Sequence, residues 1–206
     1  MDRAEARDAL IRFVTCLDAS GFEGRYFVTD GTLLGLVREG GFIESDYDID
    51  FGMWAEDYDP ELADALVAAG FESRGTLGKP ENGFVQKFAR GTIPIDLTLY
   101  YRDGGTAWSA IYKRPHEQIR SIYSAFGTEP ATFCGVPVRV PSPPESYLRA
   151  VYGAKWRHPV RKWEYRYAPE NLHAHGSWVW KLRFWYGRTI WRLRNRNNHI
   201  VDDETT

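Results

Sequence analysis

The sequence predicts an α+β fold in which a mixed sheet is flanked by helices. Apolar residues recur every three or four positions over 2–20 and 59–70, which is typical of amphipathic helices. Alternating or mainly apolar stretches over 84–90 and 92–100 are typical of strands. A chain of 206 residues with 43% hydrophobic content can bury one good core, so we expect one domain with an appendage rather than two domains.

Glycine and proline residues mark the ends of elements in the first half of the chain. Gly21, the pair Gly40-Gly41 and Gly70 each follow an apolar helical pattern, and Pro60 suits a first helical turn. The elements predicted in this half are a helix over 2–20, a short strand over 25–29, a helix over 32–38, a strand over 42–51, a helix over 59–70, and strands over 71–78 and 84–90. This order predicts a sheet covered by helices.

The second half is predicted to continue the sheet before it returns to helix. The elements predicted there are a strand over 92–100, short strands or loop over 108–112 and 119–126, and a hairpin over 131–140 that bends at Gly135. Ser142 then has the character of an N-cap, with Pro143 in the first turn of a helix that ends at Gly153.

Asp48-Ile49-Asp50-Phe51 is the motif that predicts chemistry. Successive side chains of a strand point to opposite faces, so the two aspartates share one face while Ile49 and Phe51 share the other. Neighbouring carboxylates repel unless a cation lies between them, and oxygen ligands of this kind suit Mg²⁺, with Mn²⁺ as an alternative. The motif therefore predicts a metal site. Asp46 is expected to belong to the acidic surroundings rather than to the ligands.

Gly31-Thr32 predicts a phosphate-binding helix start ahead of that motif. The helix over 32–38 would present free backbone N–H groups at its N-terminus, and such groups attract anions. Asp30 is expected to cap this helix. Further along, Asp96 is the one acid in the apolar strand IPIDLTLY. A carboxylate there is costly to bury unless it is paired or metal-bound, so Asp96 is the candidate third ligand.

These motifs, in this order, resemble the LicD and fukutin family of nucleotidyltransferase-fold phosphotransferases. The resemblance rests on GTLLGLVREGGFI, DYDIDFG, the isolated acid in IPIDLTLY, and VPSPPESYLRAVYGAKWRHPV, and it covers residues 26–159. The pattern is also similar to the polymerase-β-type superfamily signature. The resemblance implies a nucleotidyltransferase (polymerase-β-like) fold, with a catalytic domain over 1–160.

The resemblance implies transfer of a substituted phosphate, such as phosphocholine or ribitol phosphate. The donor would be CDP-linked, and the acceptor would be a hydroxyl of a cell-surface glycan or of a lipid-linked glycan precursor. Asp48, Asp50 and Asp96 would be the catalytic and metal-binding residues, with Mg²⁺ or Mn²⁺ as the cofactor. Asp96 would act either with a second metal or alone as a base.

The phosphate-binding residues would be Gly31, Thr32 and Arg38. Arg38 either clamps phosphate or pairs with Asp46. The same metal site would also serve nucleotidyl transfer from an NTP, and a non-catalytic module that binds membrane surfaces is a further alternative. Members of the LicD branch commonly carry Pro-Trp before the acidic cluster, whereas this chain has Glu-Ser at 44–45. The substrate therefore stays open.

The stretch 161–206 is predicted to be a basic, aromatic extension of the catalytic domain. Residues 177–196 contain no acid and interleave tryptophans with lysine and arginines, which suits peripheral contact with a membrane surface. A helix that packs on the catalytic domain explains the pattern equally well. Nucleic acid is not an expected partner, because no recognition module accompanies the charges.

The sequence predicts a cytoplasmic protein, peripheral at the inner face of the membrane if the extension binds lipid. The N-terminal stretch MDRAEARDALIRF lacks the apolar run of a signal peptide, and no segment reaches about 18 uninterrupted apolar residues. Cys16 and Cys134 stand far apart without metal-ligand spacing. This arrangement predicts neither a disulfide framework nor a zinc cluster.

Overall fold

A computed structural model of the protein describes residues 1–114, 117–159, 165, 169 and 171–195. Its helices are α1 (Arg3–Leu17), α2 (Asp30–Glu39), α3 (Glu61–Ala68), α4 (Pro144–Tyr152) and α5 (Trp178–Arg194). Its strands are β1 (Tyr26–Val28), β2 (Ile49–Trp54), β3 (Glu72–Gly78), β4 (Phe84–Arg90), β5 (Ile93–Asp103), β6 (Thr106–Tyr112), β7 (Gln118–Ser124), β8 (Gly127–Phe133), β9 (Val136–Ser142) and β10 (Leu172–Ala174). A π-helical turn (Asp18–Phe22) follows α1, and a 3₁₀ turn (Ala55–Asp57) follows β2.

The main sheet is mixed and has eight strands within the described residues. Its order is β1-β2-β5-β6-β7-β10, with β4 also paired to β5 and β3 paired to β4. β2 and β5 are parallel, whereas the other described pairs of this sheet are antiparallel. β8 and β9 form a separate hairpin. The predicted α+β fold with a mixed sheet is confirmed, and the nucleotidyltransferase fold stays a prediction.

α1 covers one face of this sheet because its apolar residues recur at helical spacing. Phe13 of α1 stacks on Phe51 of β2 with ring centroids 4.7 Å apart, and it also lies edge-on to Phe88 of β4 at 6.2 Å. The helix begins after Asp2, whose side chain accepts a hydrogen bond from the N–H group of Glu5 at 2.8 Å. The N-terminal helix is thus fixed over the centre of the sheet.

α4 packs on the opposite face of the sheet. The hydroxyl of its Tyr147 lies 2.6 Å from the hydroxyl of Tyr100 on β5. Because side chains alternate along a strand, Asp96 lies on the same face as Tyr100, and Asp50 shares this face through its pairing with Asp96. The sheet therefore places both carboxylates on the face that α4 covers, away from α1.

The strand predicted over 42–51 begins only at Ile49, so its first seven residues are wrongly predicted. Phe42 instead packs against Phe133, with ring centroids 4.6 Å apart. The chain then turns where the N–H group of Asp46 donates to the carbonyl oxygen of Ile43 at 3.1 Å. A tertiary contact and a turn replace the ladder that a strand would need.

Three predictions from the second half have different outcomes. The hairpin over 131–140 is confirmed as the end of β8 and most of β9. Of the stretches left open as strand or loop, 108–112 is strand in β6, and 119–126 is strand in β7 as far as Ser124. The predicted N-cap role of Ser142 is wrong. The N-cap position of α4 belongs to Pro143 without a side-chain cap, and the Ser142 hydroxyl donates instead to the Glu129 carboxylate.

The described part of the predicted extension adds to the sheet. β10 pairs with β7, and α5 packs on that edge through Trp180 and Phe184, next to Ile119 and Leu172. The predicted boundary between residues 160 and 161 lies outside the described residues and stays a prediction. Among the helices that are described, none combines the length and apolarity needed to cross a bilayer.

Candidate functional site

Three aspartates converge where β2 begins. Asp46, Asp48 and Asp50 each place a carboxylate oxygen within 4.8 Å of the others. Asp48 directly precedes β2 and Asp50 is its second residue, so their side chains point to the same side of the extended chain. Asp46 joins them from the preceding turn. We call these three residues the carboxylate cluster. It contains the predicted pair together with Asp46, which the sequence interpretation left outside the ligands although it continues the same two-residue spacing.

The start of α2 holds Asp50 in place. The N–H group of Gly31 donates to Asp50 Oδ2 at 3.0 Å, and the N–H group of Asp50 donates to Thr32 Oγ1 at 2.8 Å. The Gly31 N–H group, which was predicted to be free for phosphate, therefore donates to a carboxylate. A carboxylate is an anion, and the N-terminus of a helix attracts anions. The phosphate-binding role of Gly31 and Thr32 stays a prediction.

Gly31 lies too close to the carboxylate cluster to carry a side chain. A Cβ atom built at this position would overlap Asp46 Oδ2 and would lie 3.3 Å from Asp50 Oδ2. The absence of a side chain lets two carboxylates approach the backbone at the start of α2. The glycine is therefore required here by space rather than by an unusual backbone angle.

Asp96 lies beside the carboxylate cluster. It is the register partner of Asp50 in the parallel pair of β2 and β5, and neighbouring strands are about 4.8 Å apart. On its other side, its register partner Lys87 on β4 forms an ion pair with Asp96 Oδ2. The sequence did not show whether Lys87 faces solvent or the site. Asp96 is outside the group of three whose oxygens meet within 4.8 Å among the described residues, and its role as a metal ligand stays a prediction.

Burial and mutual repulsion raise the pKa values of the carboxylate cluster. Burial, followed by the charge of Asp46, raises the pKa of Asp48 to about 7. Burial, followed by the charge of Asp48, raises the pKa of Asp50 well above its usual range, and burial also raises the pKa of Asp46. A divalent cation would relieve this repulsion, because carboxylates bind a metal in their ionised form. Three convergent carboxylates are a donor set that fits a hard cation such as Mg²⁺.

Arg38 lies on the last turn of α2 and contacts groups other than the carboxylate cluster. Its guanidinium forms an ion pair with Glu39 at 2.8 Å, and its Nη1 atom lies 3.5 Å from the carbonyl oxygen of Trp156. The contact with Trp156 links α2 to the segment that follows α4. The structure shows the Glu39 pairing in place of the suggested pairing with Asp46, and the phosphate clamp stays a prediction.

Asp30 connects the site to buried tyrosines. Its Oδ1 atom accepts a hydrogen bond from the Tyr147 hydroxyl at 3.2 Å, and that hydroxyl also lies 2.6 Å from the hydroxyl of Tyr100. Burial raises the pKa of Asp30 to about 6. The predicted capping role is wrong, because Thr29 occupies the N-cap position while Asp30 is the first helical residue and turns toward α4. No local sequence signal reveals this contact, since Asp30 and Tyr147 are 117 residues apart.

The stretch that builds this site matches a known family. Residues 23–143 match the family model described as LicD/FKTN/FKRP, nucleotidyltransferase domain. This range contains the carboxylate cluster, Lys87 and Asp96. The chain belongs to this family. The resemblance to the LicD and fukutin family that the sequence motifs indicate is therefore confirmed.

Proteins similar to this member of the LicD/FKTN/FKRP family include ribitol-5-phosphate transferase FKTN. The Mus musculus protein is 26% identical over 155 residues, which cover 74% of this chain and 34% of that protein. The Homo sapiens protein is 24% identical with the same coverage. Uncharacterized protein T07A5.1 of Caenorhabditis elegans is 29% identical over 187 residues, which cover 85% of this chain and 47% of that protein. The chain thus spans about a third to a half of the length of these relatives.

Proposed function

We propose that the protein is a metal-dependent phosphotransferase that uses a CDP-activated donor. It would move a phospho-substituent, such as phosphocholine or ribitol phosphate, to a hydroxyl of a cell-surface glycan or of a lipid-linked glycan precursor. Membership of the LicD/FKTN/FKRP family supports phosphotransfer, and the name of the FKTN relatives supports ribitol phosphate as one substituent. The observation that carries the proposal is the convergence of Asp46, Asp48 and Asp50 beside Asp96.

The carboxylate cluster supplies the ligands that a diphosphate-binding cation needs. Asp48 and Asp50 would hold Mg²⁺ or Mn²⁺, with Asp46 as a further ligand. When bound, the cation would neutralise the charge of the diphosphate and the charge that develops on the leaving CMP. Gly31 and Thr32 form one hydrogen bond each with Asp50, one to its carboxylate and one from its backbone N–H group. These bonds orient the Asp50 carboxylate for metal binding.

The transfer is a displacement at the phosphorus that carries the substituent. The acceptor oxygen forms a bond to that phosphorus, the bond from phosphorus to the bridging oxygen breaks, and CMP leaves with the bonding electrons. The hydroxyl proton goes to a carboxylate, for which we propose Asp96. Lys87 pairs with Asp96 and restrains it next to Asp50. The base and the diphosphate site would then share one face of the sheet.

Product analysis distinguishes this reaction from its alternatives. The protein is incubated with Mg²⁺, a panel of glycan acceptors, and CDP-choline, CDP-ribitol, CTP or ATP, and the release of CMP and pyrophosphate is measured. We expect CMP from at least one CDP-alcohol in the presence of an acceptor, and its loss in Asp48→Asn and in Asp50→Asn. Pyrophosphate from an NTP, without CMP from any CDP-alcohol, would identify a nucleotidyltransferase and overturn the proposal.

Asp64→Asn is the matched control for the two cluster variants. Asp64 is an exposed carboxylate on α3, so the change removes the same charge from a different element. We expect it to retain CMP release. Full activity of Asp48→Asn would contradict the metal-binding role of this residue. The absence of product from every donor and acceptor would favour the alternative of a non-catalytic module.

A further inference from the structure

α5 buries one side and leaves a second apolar side uncovered within the described structure. Trp180 and Phe184 pack on β7 and β10, and Trp180 Nε1 donates to the carbonyl oxygen of Gln118 at 3.0 Å. On the outer side, Trp178 is 72% exposed and Trp185 is 65% exposed. Among the described residues, α5 packs on the sheet through its inner side. This packing does not explain why tryptophans occupy the outer side.

The exposed apolar residues of α5 lie along one side of the helix, where the partly exposed Thr189 is a polar position between Tyr186 and Leu193. An α-helix turns by about 100° per residue, and on that basis these side chains fall within an arc of roughly 120° opposite the buried side. We call this set the outer stripe, and its members are Trp178, Val179, Leu182, Trp185, Tyr186 and Leu193. If the outer side of α5 faced only water, polar residues would be expected there.

Basic residues border the outer stripe on both edges. At the same angular spacing, Lys181 and Arg192 lie along one edge, and Arg183 and Arg194 lie along the other. Arg183 also lies 3.7 Å from Glu117, so one of these charges is partly balanced. The helix itself contains no acidic residue. An apolar band with cationic borders is the arrangement in which long side chains can reach phosphate groups while the band contacts acyl chains.

We propose that the outer stripe docks on the surface of an anionic lipid bilayer, with α5 lying in the plane of the interface. The charge of both borders is complementary to anionic headgroups along the full length of the helix. Tryptophan and tyrosine combine an apolar ring with a polar group and suit the boundary between headgroups and acyl chains. In this arrangement the outer stripe contacts the interface while the buried side of α5 stays packed on the sheet.

This inference goes beyond the proposed reaction, because no residue of the carboxylate cluster takes part in it. β10, on which α5 packs, is three strands from β5 in the sheet order, which corresponds to about 15 Å at the usual strand spacing. Lipid binding can therefore be tested in a variant without catalytic activity. We expect Asp50→Asn to bind vesicles as the wild type does, so failure of one proposal is distinguishable from failure of the other.

Vesicle co-sedimentation of the full chain tests the docking surface. The vesicles contain phosphatidylcholine alone or phosphatidylcholine with phosphatidylglycerol. We expect partitioning onto the anionic vesicles to exceed that onto the neutral vesicles by about ten-fold or more. The double variant Leu182→Ser/Trp185→Ser should lose about ten-fold or more of this binding, because it removes exposed apolar area from the centre of the stripe. Arg192→Gln/Arg194→Gln should lose binding mainly to the anionic vesicles.

Matched substitutions elsewhere on the surface serve as controls. Val67→Ser on α3 removes an exposed apolar side chain, and Arg74→Gln on β3 removes an exposed arginine, so both should bind vesicles as the wild type does. Thermal unfolding checks that each variant is folded. Equal sedimentation of the wild type and the stripe variant would overturn the proposal. So would stripe-dependent self-association, measured by sedimentation velocity, in a protein that does not bind anionic vesicles.

Discussion

Asp50 on β2 and Asp96 on β5 are register partners in the parallel strand pair of the described sheet. The Asp50 carboxylate lies beside those of Asp46 and Asp48, whereas the Asp96 carboxylate forms an ion pair with Lys87. Both carboxylates lie near the other acids, but Asp96 has a cation as its direct partner. This contrast favours different tasks for the two groups, with Asp50 in cation binding and Asp96 in proton transfer.

Substitution of Asp96 should separate these two tasks. We expect Asp96→Asn to lower the rate of CMP release by about 100-fold or more, because it removes the proposed base. The affinity for Mg²⁺, measured by calorimetric titration, should change little, since Asp46, Asp48 and Asp50 converge without it. Asp103→Asn removes an exposed carboxylate from the end of the same strand and should have no effect. A ten-fold or larger loss of Mg²⁺ affinity in Asp96→Asn would make Asp96 a ligand instead.

A methyl group at Gly31 should disrupt the cation site. We expect Gly31→Ala to weaken Mg²⁺ binding by about ten-fold or more, because the added Cβ would collide with Asp46 Oδ2 and crowd Asp50. Gly41→Ala is the matched control, since a Cβ at that position has no heavy atom of a non-adjacent residue within 4 Å. Both affinities can be measured by calorimetric titration. Unchanged affinity in Gly31→Ala would show that the cluster does not bind the cation in the described arrangement.

The stability of the metal-free protein should fall as the pH rises toward neutrality. The pKa of Asp48 is raised from 3.8 to about 7, so between these values the folded state binds more protons than the unfolded state. The free energy of unfolding therefore decreases as the pH rises through this window. We expect the accompanying fall in Tm to be smaller in Asp48→Asn by about 3 °C or more, as measured by thermal unfolding in chelator.

Mg²⁺ provides the second arm of that experiment. A ligand that binds only the folded state raises Tm, so Mg²⁺ at neutral pH should stabilise the wild type. It should stabilise Asp48→Asn much less, because one of the three convergent carboxylates is missing. An equal pH dependence of the two proteins, with equal responses to Mg²⁺, would contradict the raised pKa of Asp48.

The hydroxyl of Tyr147 should matter for both stability and activity. Tyr147→Phe leaves Asp30 and the Tyr100 hydroxyl without this hydrogen-bond partner, and we expect a loss of about 1–3 kcal/mol in the free energy of unfolding. CMP release should also fall, because Asp30 directly precedes Gly31 and positions the start of α2. Tyr101→Phe removes a hydroxyl that donates to the carbonyl oxygen of Pro80 at 2.8 Å, and it should lower stability alone. If Tyr147→Phe lost stability without losing activity, the positioning role would be refuted.

Local sequence patterns were sufficient to find the pair Asp48 and Asp50. Alternation in an extended chain is a property of neighbouring residues, so it brings the two side chains together whatever the rest of the fold does. The same spacing extends to Asp46. That residue lies before the strand, in the turn where its N–H group donates to Ile43.

Contacts that join distant parts of the chain could not be predicted in this way. The partner of Asp30 is set by the packing of α4 against the sheet, and the partner of Lys87 depends on the register between β4 and β5. The Ser142 cap failed for a related reason, because α4 begins one residue later than predicted and the Ser142 hydroxyl donates to Glu129 on the paired strand. The sequence therefore predicted which elements form, and tertiary packing decided what several of their polar groups contact.

The positions of the carboxylate cluster and the outer stripe have a consequence for how this chain can change. The residues that would handle the donor all lie between Asp30 and Asp96, whereas the stripe belongs to one helix near the other end of the chain. β6 and β7 lie between β5 and β10 in the sheet and separate the carboxylate cluster from α5. Substitutions on the outer side of α5 can thus redirect where the protein works and leave the proposed chemistry intact. An engineer could use the same separation to retarget the protein by rewriting a single helix surface.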